Sequence, residues 1–225
     1  MQELSKEEQQ LLIVTAVDAE RDAILRGMED KLSSQNITVI AAGAGPAAVA
    51  ARTAAALAAN RYDLVVSAGI GGGFPGRAAI GTLVLASSIV AADLGAESPD
   101  GFLPIDELGF GSAVAAVSEE WNDRLMQALH QARLSSILAP IITVSTATGT
   151  AETAAIRSAI VPGAAAEGME GFGVATAAEQ FGVPAVELRA ISNAVGPRDR
   201  SAWRIGDALR ALEEAAAAIA SFIRF

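Results

Sequence analysis

Short apolar runs alternate with longer helix-like stretches along the whole chain. This alternation is typical of α/β proteins, in which a sheet is covered by helices. The apolar runs predict buried strands at Leu11–Ala16, Ile37–Ala42, Leu64–Ala68, Ala139–Ser145 and Val183–Ile191, and a β-rich stretch over Thr82–Asp93.

The segments between these runs have the composition of helices, and they predict the remaining elements. Helices are expected to begin near Asp18, to follow Gly43–Pro46 as far as about Asn60, and to cover Ser118–Arg133, Ala151–Ala159, Gly171–Gln180 and the stretch from about Ser201 to the C-terminus. Gly69–Gly73 is predicted to be a loop, and Leu94–Phe110 an irregular excursion. The chain contains no internal repeat and no linker-like break. We therefore expect one domain over residues 1–225, with residues 1–10 as a flexible N-terminal extension.

Composition narrows the possible functions. Hydrophobic residues make up 52% of the chain and aromatic residues 4%, so the core must be aliphatic. A net charge of −10 disfavours nucleic acid and anionic membranes as partners. The absence of cysteine excludes disulfides and thiolate catalysis, and a single histidine, His130, excludes a histidine-cluster metal site. We expect no metal and no cofactor.

The polar, acid-rich start of the chain differs from a signal peptide. The alanine-rich runs are also too short or too interrupted to span a membrane. These features predict a soluble cytoplasmic protein.

One glycine-rich segment formally fits a dinucleotide-binding fingerprint. Gly43–Ala48 matches the pattern G-x-G-x-x-A between a strand and a helix. The fingerprint expects an acidic residue at the tip of the next strand, whereas Leu64–Ala68 leads into glycines, and Pro46 removes one N–H donor. A nicotinamide-dependent oxidoreductase is therefore disfavoured. Neither glycine-rich segment carries a Lys or Arg that would hold a phosphate.

Two glutamates are candidate catalytic residues. Glu20 lies in the first turn of the first helix, where it either compensates the helix dipole or activates a water molecule. Glu170 precedes the helix Gly171–Gln180, where its carboxylate could accept hydrogen bonds from a sugar diol. Met169 could serve either core packing or contact with a substrate. Glu167 is expected to be a solvated charge.

The strand that ends at Ser192-Asn193 is expected to deliver an amide to the carboxyl edge of the sheet. That edge is where open α/β sheets bind small molecules. An Asn side chain both donates and accepts hydrogen bonds, which suits a 6-oxopurine. Three nearby cations, Arg198, Arg200 and Arg204, would suit a substrate carboxylate or would form an ordinary solvated turn.

Five separated segments together resemble the purine nucleoside phosphorylase and nucleosidase superfamily. The resemblance implies a single-domain, three-layer α/β/α fold with a central mixed β-sheet, and a homo-oligomer of two or more subunits. The segments are Ala16–Glu20, Gly43–Gly45, Ser67–Gly72, Met169-Glu170 and Arg189–Asn193.

Within that superfamily, the segments Asp93–Glu97, Thr143–Thr150 and Ser192–Trp203 most resemble the futalosine hydrolases. This resemblance implies metal-free hydrolysis of the N-glycosidic bond of futalosine, giving hypoxanthine and dehypoxanthinyl futalosine, a step of menaquinone biosynthesis. It implies Glu20 as the base for water, Glu170 as the ribose ligand and Asn193 as the base-binding residue. The further substrate-binding residues that we predict are Gly69, Ile70, Gly71, Thr148, Gly149, Met169, Phe172, Arg198 and Arg200.

Several alternatives stay open at this point. Methylthioadenosine/S-adenosylhomocysteine nucleosidases carry an aspartate at the position of Asn193, and an ionised carboxylate there would repel the O6 of a 6-oxopurine. Nucleoside phosphorylases hold phosphate with arginines in or near the glycine loops, where this chain has Ile70 and Pro46. A non-catalytic nucleoside-binding protein would need no water-activating carboxylate, so the presence of Glu20 and Glu170 disfavours it.

Overall fold

A computed structural model describes residues 9–29 and 36–222. Residues 1–8 of the predicted N-terminal extension lie outside the described residues. The strands are β1 (Leu11–Thr15), β2 (Ile37–Ala41), β3 (Leu64–Gly73), β4 (Leu83–Ala91), β5 (Gly95–Ser98), β6 (Gly101–Pro104), β7 (Val114–Ala115), β8 (Ser136–Thr143), β9 (Ala166–Gly168) and β10 (Ala185–Ala194). The helices are α1 (Asp18–Gly27), α2 (Pro46–Ala59), α3 (Ile105–Leu108), α4 (Glu119–Gln131), α5 (Ala151–Ile160), α6 (Gly171–Gln180) and α7 (Ile205–Phe222).

In the part of the chain that the structure describes, eight strands form one mixed sheet that closes partly on itself. β2, β1, β3 and β10 lie side by side and run parallel. β10 pairs antiparallel with β4, which pairs parallel with β8, and β8 pairs parallel with β9. Because β9 also pairs antiparallel with the end of β3, five of the strands complete a ring.

Helices cover both faces of the sheet. In β1, Leu11 and Ile13 face one apolar core and Leu12 and Val14 face the other, as the alternation of side chains along a strand requires. The first core includes residues of α1, α4 and α7, and the second includes residues of α2 and α6. The predicted three-layer α/β/α architecture with a central mixed sheet is confirmed.

The Gly69–Gly73 segment is not a loop, so that prediction is wrong. It forms the second half of β3, where Gly71 lies beside Ile191 and Gly72 beside Asn193. None of its glycines has a positive φ. They are needed for space, because a Cβ on Gly73 would lie 2.3 Å from the carbonyl oxygen of Ala78. A run of glycines indicates a turn where the backbone needs the conformations that glycine allows, whereas here close packing requires the absence of side chains.

Two further segments differ from the sequence-based expectation. The excursion over Leu94–Phe110 is ordered as the antiparallel hairpin of β5 and β6, followed by the single turn of α3. The short strands β7 and β9 were not predicted, because two or three residues carry no readable periodicity. None of the helices within residues 9–29 and 36–222 has the length and apolar character needed to cross a membrane.

Candidate active site

A cleft of about 290 Å³ opens at the carboxyl ends of β1, β3 and β10. β1 and β3 are paired only as far as Val14 and Ser67, and beyond that point the two strands lead into separate walls of the cleft. Eight of the twelve predicted site residues line it: Glu20, Ile70, Gly71, Thr148, Met169, Glu170, Asn193 and Arg198.

The Glu20 carboxylate is held by backbone N–H groups from two elements. Glu20 is the third residue of α1 and is only 4% exposed. Its Oε2 accepts hydrogen bonds from the N–H groups of Ala16 and Val17 at 3.0 and 3.2 Å, and its Oε1 accepts one from Ile70 at 2.8 Å. An ionised carboxylate has about four acceptor positions, so about one remains for a ligand in the cleft.

The Glu170 carboxylate is also fixed by backbone N–H groups. Glu170 is 6% exposed and immediately precedes the first residue of α6, but its side chain makes no capping hydrogen bond to that helix. Its Oε1 accepts a hydrogen bond from the N–H of Gly45 at 3.1 Å, and its Oε2 accepts one from Met169 at 3.2 Å. The segment after β2, which resembled a dinucleotide fingerprint, therefore supplies a donor to a carboxylate of the cleft. Gly45 has a φ of 91°, a left-handed conformation that glycine adopts without strain.

Arg189 lies behind the lining of the cleft, next to Glu170, and sequence reasoning missed it. It lies in β10 and is 1% exposed. Its Nη1 forms an ion pair with Oε2 of Glu170 at 3.3 Å but has no hydrogen-bond partner among the described residues, and its Nη2 donates to Oγ of Ser67 at 3.0 Å. Burial alone would lower the pKa of Arg189, but the carboxylates of Glu187, Glu170 and Glu20 outweigh burial and raise that pKa. The guanidinium therefore stays charged beneath the cleft.

Glu20 and Arg189 both lie close to the α-carbon of Gly69. A Cβ on Gly69 would lie 2.6 Å from Oε1 of Glu20 and 2.6 Å from Nη1 of Arg189. Gly69 does not itself line the cleft, but its lack of a side chain makes room for the groups that do. One signal in the sequence could have revealed this cluster, because Glu187 and Arg189 are charged residues inside a strand that reads as buried on both faces.

Asn193 reaches the cleft through an irregularity in β10. The pairing with β3 skips Ser192, and bulges of this kind re-aim side chains next to binding sites. Oδ1 of Asn193 accepts a hydrogen bond from Oγ of Ser192 at 2.8 Å, and Nδ2 donates to the carbonyl oxygen of Ala194 at 3.0 Å. The second hydrogen on Nδ2 remains available for a ligand.

The architecture agrees with the comparisons with known proteins. The family model of the phosphorylase superfamily matches residues 14–224. The chain belongs to the phosphorylase superfamily. It is 50% identical to futalosine hydrolase of Streptomyces coelicolor, over 93% of this chain and 94% of that protein. It is 32% identical to futalosine hydrolase of Thermus thermophilus, over 82% and 81% of the two chains.

Solved structures of this superfamily share the fold. A methylthioadenosine/S-adenosylhomocysteine nucleosidase of Colwellia psychrerythraea, in complex with adenine, matches with a TM-score of 0.82 and 22% identity over 97% of both chains. Futalosine hydrolase of Helicobacter pylori matches with a TM-score of 0.81 and 19% identity, over 96% of this chain and 98% of that one. At these identities the likeness extends to the fold alone. The predicted resemblance to this superfamily and to the futalosine hydrolases is confirmed.

A buried polar cluster supports the wall of the cleft in this member of the superfamily. Glu167, which was expected to be solvated, is only 7% exposed, so that expectation is wrong. Its Oε1 accepts a hydrogen bond from the N–H of Thr148 at 2.8 Å, and its Oε2 lies 3.0 Å from Nη1 of Arg157. Oγ1 of Thr148 contacts both Glu167 and Arg157. The N–H and hydroxyl groups of Thr148, which lines the cleft, therefore connect the loop that follows β8 to Glu167 of β9 and Arg157 of α5.

Arg198 lies at the exposed rim of the cleft. Its guanidinium carbon is 5.3 Å from the centre of the Trp203 ring, and both residues belong to the lining. Arg200 is exposed outside the lining, with its guanidinium carbon 5.8 Å from the same ring. Gly149 and Phe172 also lie outside the lining. Phe172 packs against the second apolar core, and its N–H donates to Oγ1 of Thr143.

Proposed function

We propose that this protein hydrolyses the N-glycosidic bond of futalosine and releases hypoxanthine and dehypoxanthinyl futalosine. The observation that carries the choice of substrate is 50% identity to the futalosine hydrolase of Streptomyces coelicolor over nearly the whole chain. The arrangement of the cleft supports the choice of reaction, because two buried carboxylates and an amide face one cavity at the carboxyl edge of the sheet.

Glu20 is the proposed general base. Its three backbone contacts hold the carboxylate in one orientation and leave about one acceptor position for a water molecule. A water bound there would be oriented towards the anomeric carbon and would lose its proton to Glu20 as the new C–O bond forms. General base catalysis by a positioned carboxylate accelerates such steps by about 10²–10⁴-fold.

Glu170 is the proposed ligand of the ribose hydroxyls. Its hydrogen bonds from the N–H groups of Gly45 and Met169 leave about two acceptor positions, which suits the two hydroxyls of a ribose diol. Its negative charge also stabilises positive charge that develops on the ribose ring as the glycosidic bond breaks. Met169 is half-buried beside it, where its side chain would pack against the face of the sugar.

Asn193 is the proposed ligand of the purine base. Its free Nδ2 hydrogen can donate to O6 or N7 of hypoxanthine, whereas the ionised carboxylate of an aspartate would repel O6. An amide cannot supply the proton that the departing base takes up, so we propose that this proton comes from solvent.

Water rather than phosphate is the proposed nucleophile. Among the described residues that line the cleft, Arg198 is the one cation, and it lies at the exposed rim. A rim arginine suits the carboxylate that futalosine carries beyond its ribose, since a guanidinium fork matches a carboxylate. Arg200 is the alternative partner for that group.

The finer expectations from the family resemblance are part of the same proposal. They are a role in menaquinone biosynthesis, a cytoplasmic location and a homo-oligomeric assembly. Size determination of the purified protein by analytical ultracentrifugation tests the last of these, and a monomer would contradict it.

The product assay tests the proposed reaction. We expect purified protein to release hypoxanthine from futalosine in phosphate-free buffer, at a rate that added phosphate leaves unchanged. Mass spectrometry should find the sugar product as dehypoxanthinyl futalosine. A sugar 1-phosphate as product, or release that requires phosphate, would contradict hydrolysis. No release under either condition would contradict futalosine as the substrate.

A further inference from the structure

A second buried carboxylate lies behind the site, on the same strand as Arg189. Glu187 is 0% exposed and precedes Arg189 by two residues, so both side chains leave the same face of β10. Oε1 of Glu187 accepts a hydrogen bond from Nε of Arg189 at 2.8 Å, and Oε2 has no hydrogen-bond partner among the described residues. Burial raises the pKa of Glu187, although Arg189 opposes that rise.

Glycines from three elements enclose this pair of side chains. A Cβ on Gly171 of α6 would lie 2.0 Å from Oε2 of Glu187. A Cβ on Gly168 of β9 would lie 3.0 Å from Nε of Arg189, and one on Gly69 of β3 would lie 2.6 Å from its Nη1. The space that three side chains would fill is therefore occupied by one carboxylate and one guanidinium.

Each nitrogen of the Arg189 guanidinium faces a different partner. Nε meets Glu187, Nη2 meets Ser67, and Nη1 faces the carboxylate of Glu170 and the space above Gly69 that Glu20 shares. Since the guanidinium is planar and rigid, fixing Nε and Nη2 also fixes the direction of Nη1.

We propose that Glu187 is a positioning residue for the hydrolysis: it holds the Arg189 guanidinium so that Nη1 stays beside the carboxylate of Glu170, at 3.3 Å from its Oε2. The inference rests on the proposed function. Glu187 does not line the cleft, so it acts only through Arg189. Ion pairs of this kind can often be replaced by apolar residues without loss of stability, which makes a fully buried carboxylate hard to explain by stability alone.

Three substitutions separate geometry from charge at this position. Glu187→Gln keeps an oxygen acceptor at the same reach but removes the charge. Glu187→Asp keeps the charge but shortens the side chain by one carbon. Glu187→Met removes both the charge and the oxygen acceptor.

If Glu187 acts by position, Glu187→Gln should keep kcat for futalosine within about fivefold of wild type. Glu187→Asp should lower kcat by about tenfold or more, and Glu187→Met by about 100-fold, with KM changed by less than about threefold.

A matched control shows whether a buried polar substitution alone disturbs the rate. Thr53 of α2 is fully buried, its hydroxyl has no hydrogen-bond partner among the described residues, and it lies outside the lining of the cleft. Thr53→Val should leave kcat unchanged. If Glu187→Met does not fold, the order of Glu187→Gln and Glu187→Asp still decides the question.

The proposal would be overturned in favour of a charge effect if Glu187→Asp kept the full kcat and Glu187→Gln lost it. Wild-type kcat in all three variants, or an effect on KM alone, would overturn it as well. Failure of the wild-type protein to cleave futalosine would contradict the proposed function instead, and the same series would then be measured with the nucleoside that it does cleave.

Discussion

Glu20 and Glu170 both line the cleft, and backbone N–H groups fill about three of the four acceptor positions of Glu20 and about two of those of Glu170. These hydrogen bonds fix the orientation of each carboxylate and leave its charge intact. Glu20 is thereby prepared for one water molecule and Glu170 for a sugar diol, as a general base and a sugar ligand respectively require.

The role of Glu20 can be tested by replacing its carboxylate with an amide. Glu20→Gln should lower kcat for futalosine by about 10²–10⁴-fold, because an amide cannot take a proton from water, and KM should change little. Steady-state kinetics on the folded variant measures both. Asp18→Asn is the matched control in the same helical turn, since Asp18 is exposed and outside the lining. Wild-type kcat in Glu20→Gln would rule out the proposed base.

Asn193 is the position that should set the preferred purine. Asn193→Asp should lower kcat/KM for futalosine and raise it for methylthioadenosine, because a carboxylate accepts from a 6-amino group and repels O6. We expect the ratio of the two kcat/KM values to move by at least about tenfold towards methylthioadenosine. An unchanged ratio would show that base preference is set elsewhere in the cleft.

Single residues differed in how far sequence alone could place them. Glu20 and Asn193 were predicted because Glu20 follows a recognisable strand and Asn193 lies at the end of one, so both fall at the sheet edge. Arg189 was missed because Ser67 and Glu170, which are far from it in the chain, become its neighbours only in the folded protein. Glu167 was missed because its partners Thr148 and Arg157 lie on other elements. Charge in a buried strand was the available signal for Arg189.

The elements differed in how far the sequence could predict them. The helix predicted over Gly171–Gln180 has those bounds in the structure, and its small residues are buried against the rest of the protein. β9 was invisible in the sequence, although it carries Glu167 and closes the ring against Gly72 and Gly73. Short strands of this kind are specified by their neighbours rather than by their own pattern.

The first residue of α6 offers a test of how tightly these elements meet. Gly171→Ala should lower the free energy of unfolding by about 1–3 kcal/mol, because the added Cβ would overlap the buried carboxylate of Glu187. Urea denaturation measures the change. Gly206→Ala, in the first turn of α7 with open space around its Cβ, is the matched control and should raise that free energy by about 0.5 kcal/mol. Equal effects of the two substitutions would contradict the close contact.

At the scale of the whole molecule, the fold gathers residues that are far apart in the chain. The ends of β1, β3, β9 and β10 converge because β3 pairs with each of the other three strands. The α/β class could be predicted from the alternation of strands and helices, and the sheet edge as the place of the candidate site follows from that class. The three layers were implied by the resemblance to the superfamily. Ring closure could not, since it depends on the antiparallel pairing of β9 with β3.

The substrate and the nucleophile of the proposed reaction are set by the cleft as a whole and not by one residue. A competition experiment measures both directly. Equimolar futalosine and methylthioadenosine would be incubated with the protein in phosphate-free buffer, and the hypoxanthine and adenine released would be quantified by chromatography. We predict hypoxanthine in excess of adenine by about 100-fold or more, since a site built to hydrogen-bond one base edge rejects another strongly. Adenine in excess, or no release until phosphate is added, would contradict the proposal that this protein is a hydrolase of futalosine.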